Sequence, residues 1–538
     1  MNLVGLLAAT GFAVPHIDYT AILPELILLG GMLLLLTASG LVTRPIPTEA
    51  YATVTASLGI TSLIASLILY HDVEARGAFL AIAGSIDVDG FSCLVLVLVS
   101  SVVIVASFAA AAFLRDEDMP GPEYYVLALI SGSGAMLMAS ANDLILIFLG
   151  LEILSIPLYV MAGFDRRREE SAESAMKYFV LGAFSSAIFV YGIALTYGAT
   201  GSTNLAQIAA FLSRNVLVND GVLMGGLALL IVGFAFKIAA VPFHMWTPDV
   251  YAGAPSPAVG FMAAVAKVGG FMALIRVLVS TLPTMSSTWQ PALWVIASAS
   301  LLLGAVVALA QRDIKRMLAY SSINHAGFIL LGVQAGSVTG AQGAIYYVFV
   351  YSLLALGSFA VVNVVAGKGD DSSDLGTYRG LARRSPFVAA SLTILLLAQA
   401  GAPFTTGFFA KFYVIEAAVS AHSYALAVIA MLSAGVAVFF YLRVVLTMFS
   451  EDVSPADTTV TSGDVAFSGE VESSYDDAAQ VAATGTTVLL ARVGQRESIE
   501  LSPWIATGLV MVVLSSIVLG VWPQPLVSFA HQATLLFH

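Results

Sequence analysis

The chain has 538 residues, 59% of them hydrophobic and only 10% charged. A soluble globular domain carries about 25% charged residues, so a water-facing surface cannot be assembled from this inventory. A single cysteine, Cys93, excludes a disulfide framework and any protein-ligated iron–sulfur cluster, which needs about four thiolates.

In chain order, the opening Met1-Asn2-Leu3-Val4-Gly5-Leu6-Leu7 has no basic flank, so no cleaved signal peptide is expected. Long apolar stretches then recur, each meeting the ~20 residues needed to cross ~30 Å of hydrocarbon as a helix. Fourteen spans are predicted, at 21–40, 51–70, 90–113, 124–141, 144–164, 177–198, 222–251, 257–281, 291–311, 317–335, 343–366, 387–416, 424–449 and 502–522. Runs such as Leu94-Val95-Leu96-Val97-Leu98-Val99 lack the alternation of a barrel strand. Backbone groups in lipid must be satisfied internally, so the fold class is an all-α polytopic membrane protein.

Basic residues set the orientation. Loops after odd-numbered spans hold fourteen: Arg44, Arg115, Arg166, Arg167, Arg168, Arg312, Lys315, Arg316, Lys368, Arg379, Arg383, Arg384, Arg492 and Arg496. Loops after even-numbered spans hold only Arg76 and Arg214. Odd loops are therefore expected in the cytoplasm, with both termini on the opposite side of a bacterial plasma membrane.

Two spans of about thirty residues carry helix breakers at their centres. One contains Pro242 and Pro248, the other Gly401 and Pro403. Proline removes a backbone hydrogen bond and clashes with the preceding turn, so each is expected to be a discontinuous helix. Interrupted helices five spans apart are the expected trace of an inverted-topology repeat. The predicted organisation is 1–119 (helices 1–3), 120–285 (first five-helix repeat), 286–450 (second repeat), 451–500 (acidic cytoplasmic loop) and 501–538 (last helix and tail). The acidic segment holds ten carboxylates against Arg492 and Arg496, eight of the net twelve negative charges. Its composition predicts disorder, as a functionless insertion or as a docking segment for a partner. Nothing in the charge pattern suggests nucleic acid.

Ionisable residues at bilayer depth cost about 2.5–3.5 kcal/mol each and usually mark a pathway. Glu152 lies eight residues into the fifth span, Lys237 immediately before the first break, Lys267 ten residues into the eighth span, and Lys411 just past the second break. Snorkelling to the interface suits Lys177 and Arg443 at predicted span ends, but not these three lysines. Glu152 reads either as a structural carboxylate or as a partner for Lys237; His325 reads equally as packing or as relay. A buried ammonium disfavours its proton, and a nearby carboxylate restores it, so a lysine that gains and loses such a partner is loaded and discharged in turn. Glu152 with Lys237 as switching pair, Lys267 as relay and Lys411 as transfer site is the expected assignment.

These residues also carry a family resemblance. Lys237-Ile-Ala-Ala-Val-Pro-Phe-His-Met-Trp-Thr-Pro-Asp-Val-Tyr-Ala-Gly-Ala-Pro255 and Arg312-Asp-Ile-Lys-Arg-Met-Leu-Ala-Tyr-Ser-Ser-Ile-Asn-His325 resemble the antiporter-like proton-conducting subunits of respiratory complex I, Mrp-type Na⁺/H⁺ antiporters and membrane-bound hydrogenases, over about residues 120–450. The branch most similar is subunit N of NADH:quinone oxidoreductase. Leu151-Glu152-Ile-Leu-Ser-Ile-Pro157 and the stretch from Met176 are similar to that branch, lysine stands at 411 where subunit M has glutamate, and only sixteen residues follow the last span. The resemblance implies proton translocation through Glu152, Lys237, Lys267, His325 and Lys411, driven by NADH oxidation and quinone reduction elsewhere. It implies no cofactor or metal on this chain, with FMN, iron–sulfur clusters, NADH and quinone on other subunits. The implied partners are the sister subunits M and L, the small subunits K and J, and the lipid bilayer. Two rival readings are an Mrp-type antiporter or hydrogenase pump subunit, and a membrane scaffold without transport.

Overall fold

Each of the fourteen apolar stretches forms helix, two of them with an interruption, in a computed structural model, which describes residues 17–42, 46–215, 220–370, 373–450 and 501–535. The acidic segment 451–500, Arg44 and the first sixteen residues lie outside the described residues. In chain order the helices are α1 (Leu23–Leu41), α2 (Thr48–Arg76), α3 (Gly90–Asp116), α4 (Glu123–Ser140), α5 (Leu144–Ala162), α6 (Glu169–Thr200), α7 (Leu205–Arg214), α8 (Gly221–Lys237), α9 (Trp246–Gly253) and α10 (Ser256–Ile275). There follow α11 (Ser286–Ala310), α12 (Ile314–Gln334), α13 (Val338–Ala366), α14 (Leu381–Arg384), α15 (Pro386–Ala400), α16 (Thr406–Ser420), α17 (Tyr424–Phe449), α18 (Pro503–Val521) and α19 (Gln524–Leu535). Ten of the described helices are by themselves long and apolar enough to cross a membrane; α8 and α15 are shorter apolar helices.

Three elements escape hydropathy reasoning. A small antiparallel hairpin, β1 (Phe79–Ala81) with β2 (Ile86–Val88), pairs Leu80 with Asp87 between α2 and α3. The short helices α7 and α19 are too polar to register as spans. In addition, α6 starts eight residues before Lys177. That lysine is therefore two turns inside the helix, and it is ion-paired to Glu173 (2.6 Å) and Asp249 (2.9 Å). The guanidinium of Arg443 donates to the carbonyls of Leu309 (3.0 Å) and Gln311, closing the end of α11.

One local lock occurs twice. Asp143 caps α5 by accepting from Ile145 N (2.8 Å), and its second oxygen accepts from Thr203 Oγ1 (2.7 Å). Around it, Leu144 N donates to Thr203 O and Leu205 N to Asn142 O, both at 2.9 Å. At a constant spacing of 170 residues, Asp313 caps α12 through Arg316 N (2.7 Å) and accepts from Ser373 Oγ, while Ile314 N binds Ser373 O (2.8 Å) and Leu375 N binds Arg312 O (2.9 Å). The same spacing relates two helix crossings. A β-carbon on Gly134 would collide with Leu154 N, and one on Gly304 with Asn324 N, so both sites need glycine for backbone contact.

At the centre stands α10, in which every residue is buried. It packs on α13, α4, α3, α5 and α8. Both of its ends are tied by buried charge. At the start, Asp370 accepts from Ser256 N (2.9 Å) and Ser256 Oγ (2.7 Å) while paired to Lys315 at 2.5 Å. At the far end the helix runs into a π-helical turn, Arg276–Thr281. There Arg276 binds Asp87 (2.8 Å), Asp89 (2.9 Å) and Ala139 O (2.7 Å). Removing one partner of such a buried pair costs about 3–5 kcal/mol.

Candidate functional site

The first break arises where Pro242 cannot supply an N–H to the carbonyl four residues earlier, that of Ile238. α8 ends at Lys237, and the chain is non-helical until Trp246 opens α9. The freed Ile238 carbonyl accepts from Lys267 Nζ (2.6 Å), and Trp246 Nε1 adds a second donor to Phe236 O (3.1 Å), which also accepts from Ala239 N. Pro248 lies outside the unwound stretch. It sits in the first turn of α9, where an N–H has no helical partner to lose.

In the second break Gly401, at φ +85°, caps α15 in the left-handed region, which favours glycine. Pro403 follows, and α16 begins at Thr406. The Ala400 carbonyl, left without a helical donor, accepts from Lys411 Nζ (2.7 Å). The lysine stem runs so close to Gly401 that a β-carbon there would lie 2.9 Å from Lys411 Cδ.

All three central lysines are enclosed, at 4%, 2% and 6% exposure for Lys237, Lys267 and Lys411, which removes snorkelling as an explanation. Lys237 Nζ donates to Ser155 Oγ (2.8 Å), and Ser155 in turn to Leu151 O. The ammonium also stands 5.9 Å from the centroid of Tyr178, whose ring stacks on Trp246 at 4.3 Å. Glu152 lies on the same face of α5 as Ser155, half-buried, and accepts from Ser186 Oγ on α6. No ion pair joins Glu152 to Lys237 among the described residues. Instead, Ser155, Ser185, Ser186 and Lys237 line a cavity of about 10 Å³, roughly the room of one water.

Lys267 spans two elements. Besides Ile238 O it binds Ser322 O on α12 (3.0 Å), with its ammonium 5.9 Å from the Tyr351 ring. One turn further along α12, His325 lies between two hydroxyls: Nδ1 to Tyr347 Oη (2.8 Å) and Nε2 to Tyr441 Oη (3.0 Å). A hydroxyl donates or accepts as required, so the imidazole can exchange tautomers without losing either contact. Tyr441 continues to Gln399 Oε1 (3.2 Å), and Gln399 to Ser358 Oγ (2.7 Å). The Lys411 ammonium lies 5.0 Å over the Phe328 ring, which stacks on Tyr347.

The sequence-selected residues are therefore brought into one row, from Glu152 through Lys237, Lys267 and His325 to Lys411. Its links are side-chain hydroxyls, freed carbonyls and ring faces, and no hydrogen bond joins one lysine directly to the next among the described residues. Sequence reasoning missed Ser155, Tyr178, Tyr347, Tyr441 and Gln399. Their signal was available: polar side chains on otherwise apolar helices, one or two turns from an intramembrane charge. No group of three or more His, Cys, Asp or Glu suited to a metal ion occurs among the described residues.

Residues 141–437 match the family described as NADH:quinone oxidoreductase/Mrp antiporter, TM. Over 97% of this chain, and 99% of the relative's length, the sequence is 36% identical to NADH-quinone oxidoreductase subunit N of Mycobacterium tuberculosis. The chain belongs to the subunit N family of NADH-quinone oxidoreductase. The fold agrees: a chain of respiratory complex I from Thermus thermophilus superposes with a TM-score of 0.73 at 29% identity, covering 94% of this chain and 98% of that one. A chain of the Mrp complex from Dietzia superposes with a TM-score of 0.78 at 21% identity, over 96% of both, which shows shared architecture alone. The molecule is thus a membrane subunit of complex I, and its buried charges are consistent with a proton path.

Proposed function

We propose that this subunit translocates protons along Glu152, Lys237, Lys267, His325 and Lys411, driven by NADH oxidation and quinone reduction in other subunits. The observation that carries the reading is the docking of enclosed lysines on carbonyls released by two helix breaks. A carbonyl accepts from an ammonium and from a neutral amine alike, so Lys267 and Lys411 keep their positions whether or not they hold the extra proton. Moving one charge across 100 mV requires ~2.3 kcal/mol, which quinone reduction supplies. Glu152 and Lys237 form the switching pair through Ser155 and the adjoining cavity, Lys267 is the relay, and Lys411 the transfer site.

The chain crosses the membrane fourteen times, with α8 and α9 forming one discontinuous crossing and α15 and α16 another. Residues 120–285 and 286–450 are inverted repeats, flanked by 1–119 and 501–538. The lock repeated at 170 residues supports this division, since five crossings separate its copies and reverse their direction. Fourteen basic residues in odd loops against two in even loops support a cytoplasmic location for the former. FMN, iron–sulfur clusters, NADH and quinone belong to other subunits, and subunits M, L, K and J are the neighbours. The experiment is Lys237→Met in the assembled, membrane-embedded complex. Proton pumping is expected to collapse while the complex still assembles; unchanged pumping removes the proposal.

A further inference from the structure

The second break has an outer wall as well as an inner one. On the inner side the Lys411 stem runs past Gly401 to the Ala400 carbonyl. On the outer side α18 packs against both halves of the crossing, α15 and α16. Two of its residues meet the break, Ser516 and Gly520, which are four positions apart and so share one face of the helix. Ser516 Oγ lies 3.3 Å from the Oγ1 of Thr406, the residue that opens α16. Gly520 comes closer still: a β-carbon there would lie 2.7 Å from Phe404 O and 2.9 Å from Thr405 Cα. Only glycine lets the backbone of α18 rest directly on the unwound peptide.

Phe404 shows why this support matters. Its backbone is left-handed, at φ +64°, a strained conformation for a bulky L-residue that persists only where the surroundings fix it. The ring does not supply the fixing, because Phe404 is 83% exposed. The backbone is held instead, and Gly520 lies against it. An unwound stretch at membrane depth is also tolerated only where protein covers it, and α18 is the cover over 404–406. Three residues separate Phe404 from Ala400, so a displaced Phe404 takes the acceptor of Lys411 with it.

We propose that Ser516 and Gly520 are positioning residues for the second break, holding 401–405 in the conformation that presents the Ala400 carbonyl to Lys411. Their bearing on proton transfer rests on Lys411 as the transfer site proposed above. Two measurements on the assembled complex in membranes test this: amide deuterium exchange over 399–411, and protons moved per NADH oxidised, with Lys411→Met run alongside. In Gly520→Ala the break amides should exchange faster and the protons moved per NADH should fall, while NADH oxidation and assembly persist. Gly508→Ala makes the same change on the same helix where the nearest atom lies at 3.5 Å, and should match the natural chain in both measurements. Adding Phe404→Gly, which takes a left-handed φ without strain, should restore part of the pumping lost in Gly520→Ala; a general packing defect would not respond to it. Ser516→Ala adds no volume and should give a smaller change in the same direction, which keeps the test open should Gly520→Ala fail to assemble. Break amides that exchange as in the natural chain in both variants overturn the positioning role, and so does full pumping in both where Lys411→Met has lost it. Faster exchange together with full pumping in Lys411→Met strikes the transfer assignment instead and leaves the positioning of the break standing.

Discussion

The two broken helices solve the same problem with different donors. In the first, the carbonyl released by Pro242 is taken by Lys267 from α10, a neighbouring helix, and Lys237 at the break turns to Ser155 instead. In the second, the carbonyl of Ala400 is taken by Lys411 from the far half of the same crossing. The first closure ties three helices, because Lys267 also holds Ser322 O on α12; the second is local. Their surroundings differ as well. At the 170-residue spacing, Ser155 corresponds to His325 and Glu152 to Ser322, so the first half has an acid where the second has only a hydroxyl. On the proposed reading, switching by a carboxylate falls to Lys237, whereas Lys411 would be tuned by the imidazole and tyrosines of α12, α13 and α17.

The sharpest way to break this comparison is Lys267→Met. It leaves the carbonyls of Ile238 and Ser322 without donors, at about 1–3 kcal/mol each, and cuts the row at its centre. Proton pumping by the assembled complex should fall to background, and the level of assembled complex should drop too. Gly401→Ala probes the local closure. A side chain at φ +85° costs about 1–2 kcal/mol and presses on the Lys411 stem, so pumping should fall in part while Lys267-dependent assembly persists, measured by reconstituted proton uptake against NADH oxidation. A complete loss there would mean that the second closure is as central as the first. Pro248→Ala should do least. Since this proline sits in the first turn of α9 and not in the unwound stretch, only the loss of a small buried ring is expected, at about 1 kcal/mol, with pumping intact; a large effect on pumping would move the boundary of the first break.

The crossings were legible because lipid imposes one strong requirement, an apolar run with its backbone bonded internally. Intramembrane charge was legible for the same reason: Lys237, Lys267 and Lys411 stand out against alanine, valine and phenylalanine. What was not legible is which group each charge would meet. Lys267 binds two backbone carbonyls, which no residue type announces, and Arg276 finds its carboxylates almost two hundred residues earlier, in a hairpin of ordinary polar sequence. Glu152 shows a subtler limit. Spacing put it near Lys237, but Ser155, one turn away on the same helix, takes the ammonium. The twin locks were present in the sequence as Asn142-Asp143-Leu144 with Thr203-Asn204-Leu205, and Arg312-Asp313-Ile314 with Ser373-Asp374-Leu375. Substitution between asparagine and aspartate, and between threonine and serine, hides them until their hydrogen bonds are seen.

The helix bearing Lys267 is fastened at its start through Asp370 and at its far end through Arg276. A rod bolted at both tips does not work as a piston. If the subunit translocates protons as proposed, the work that drives it must travel as relocated charge, reoriented side chains and shifting water, with the central shaft standing still.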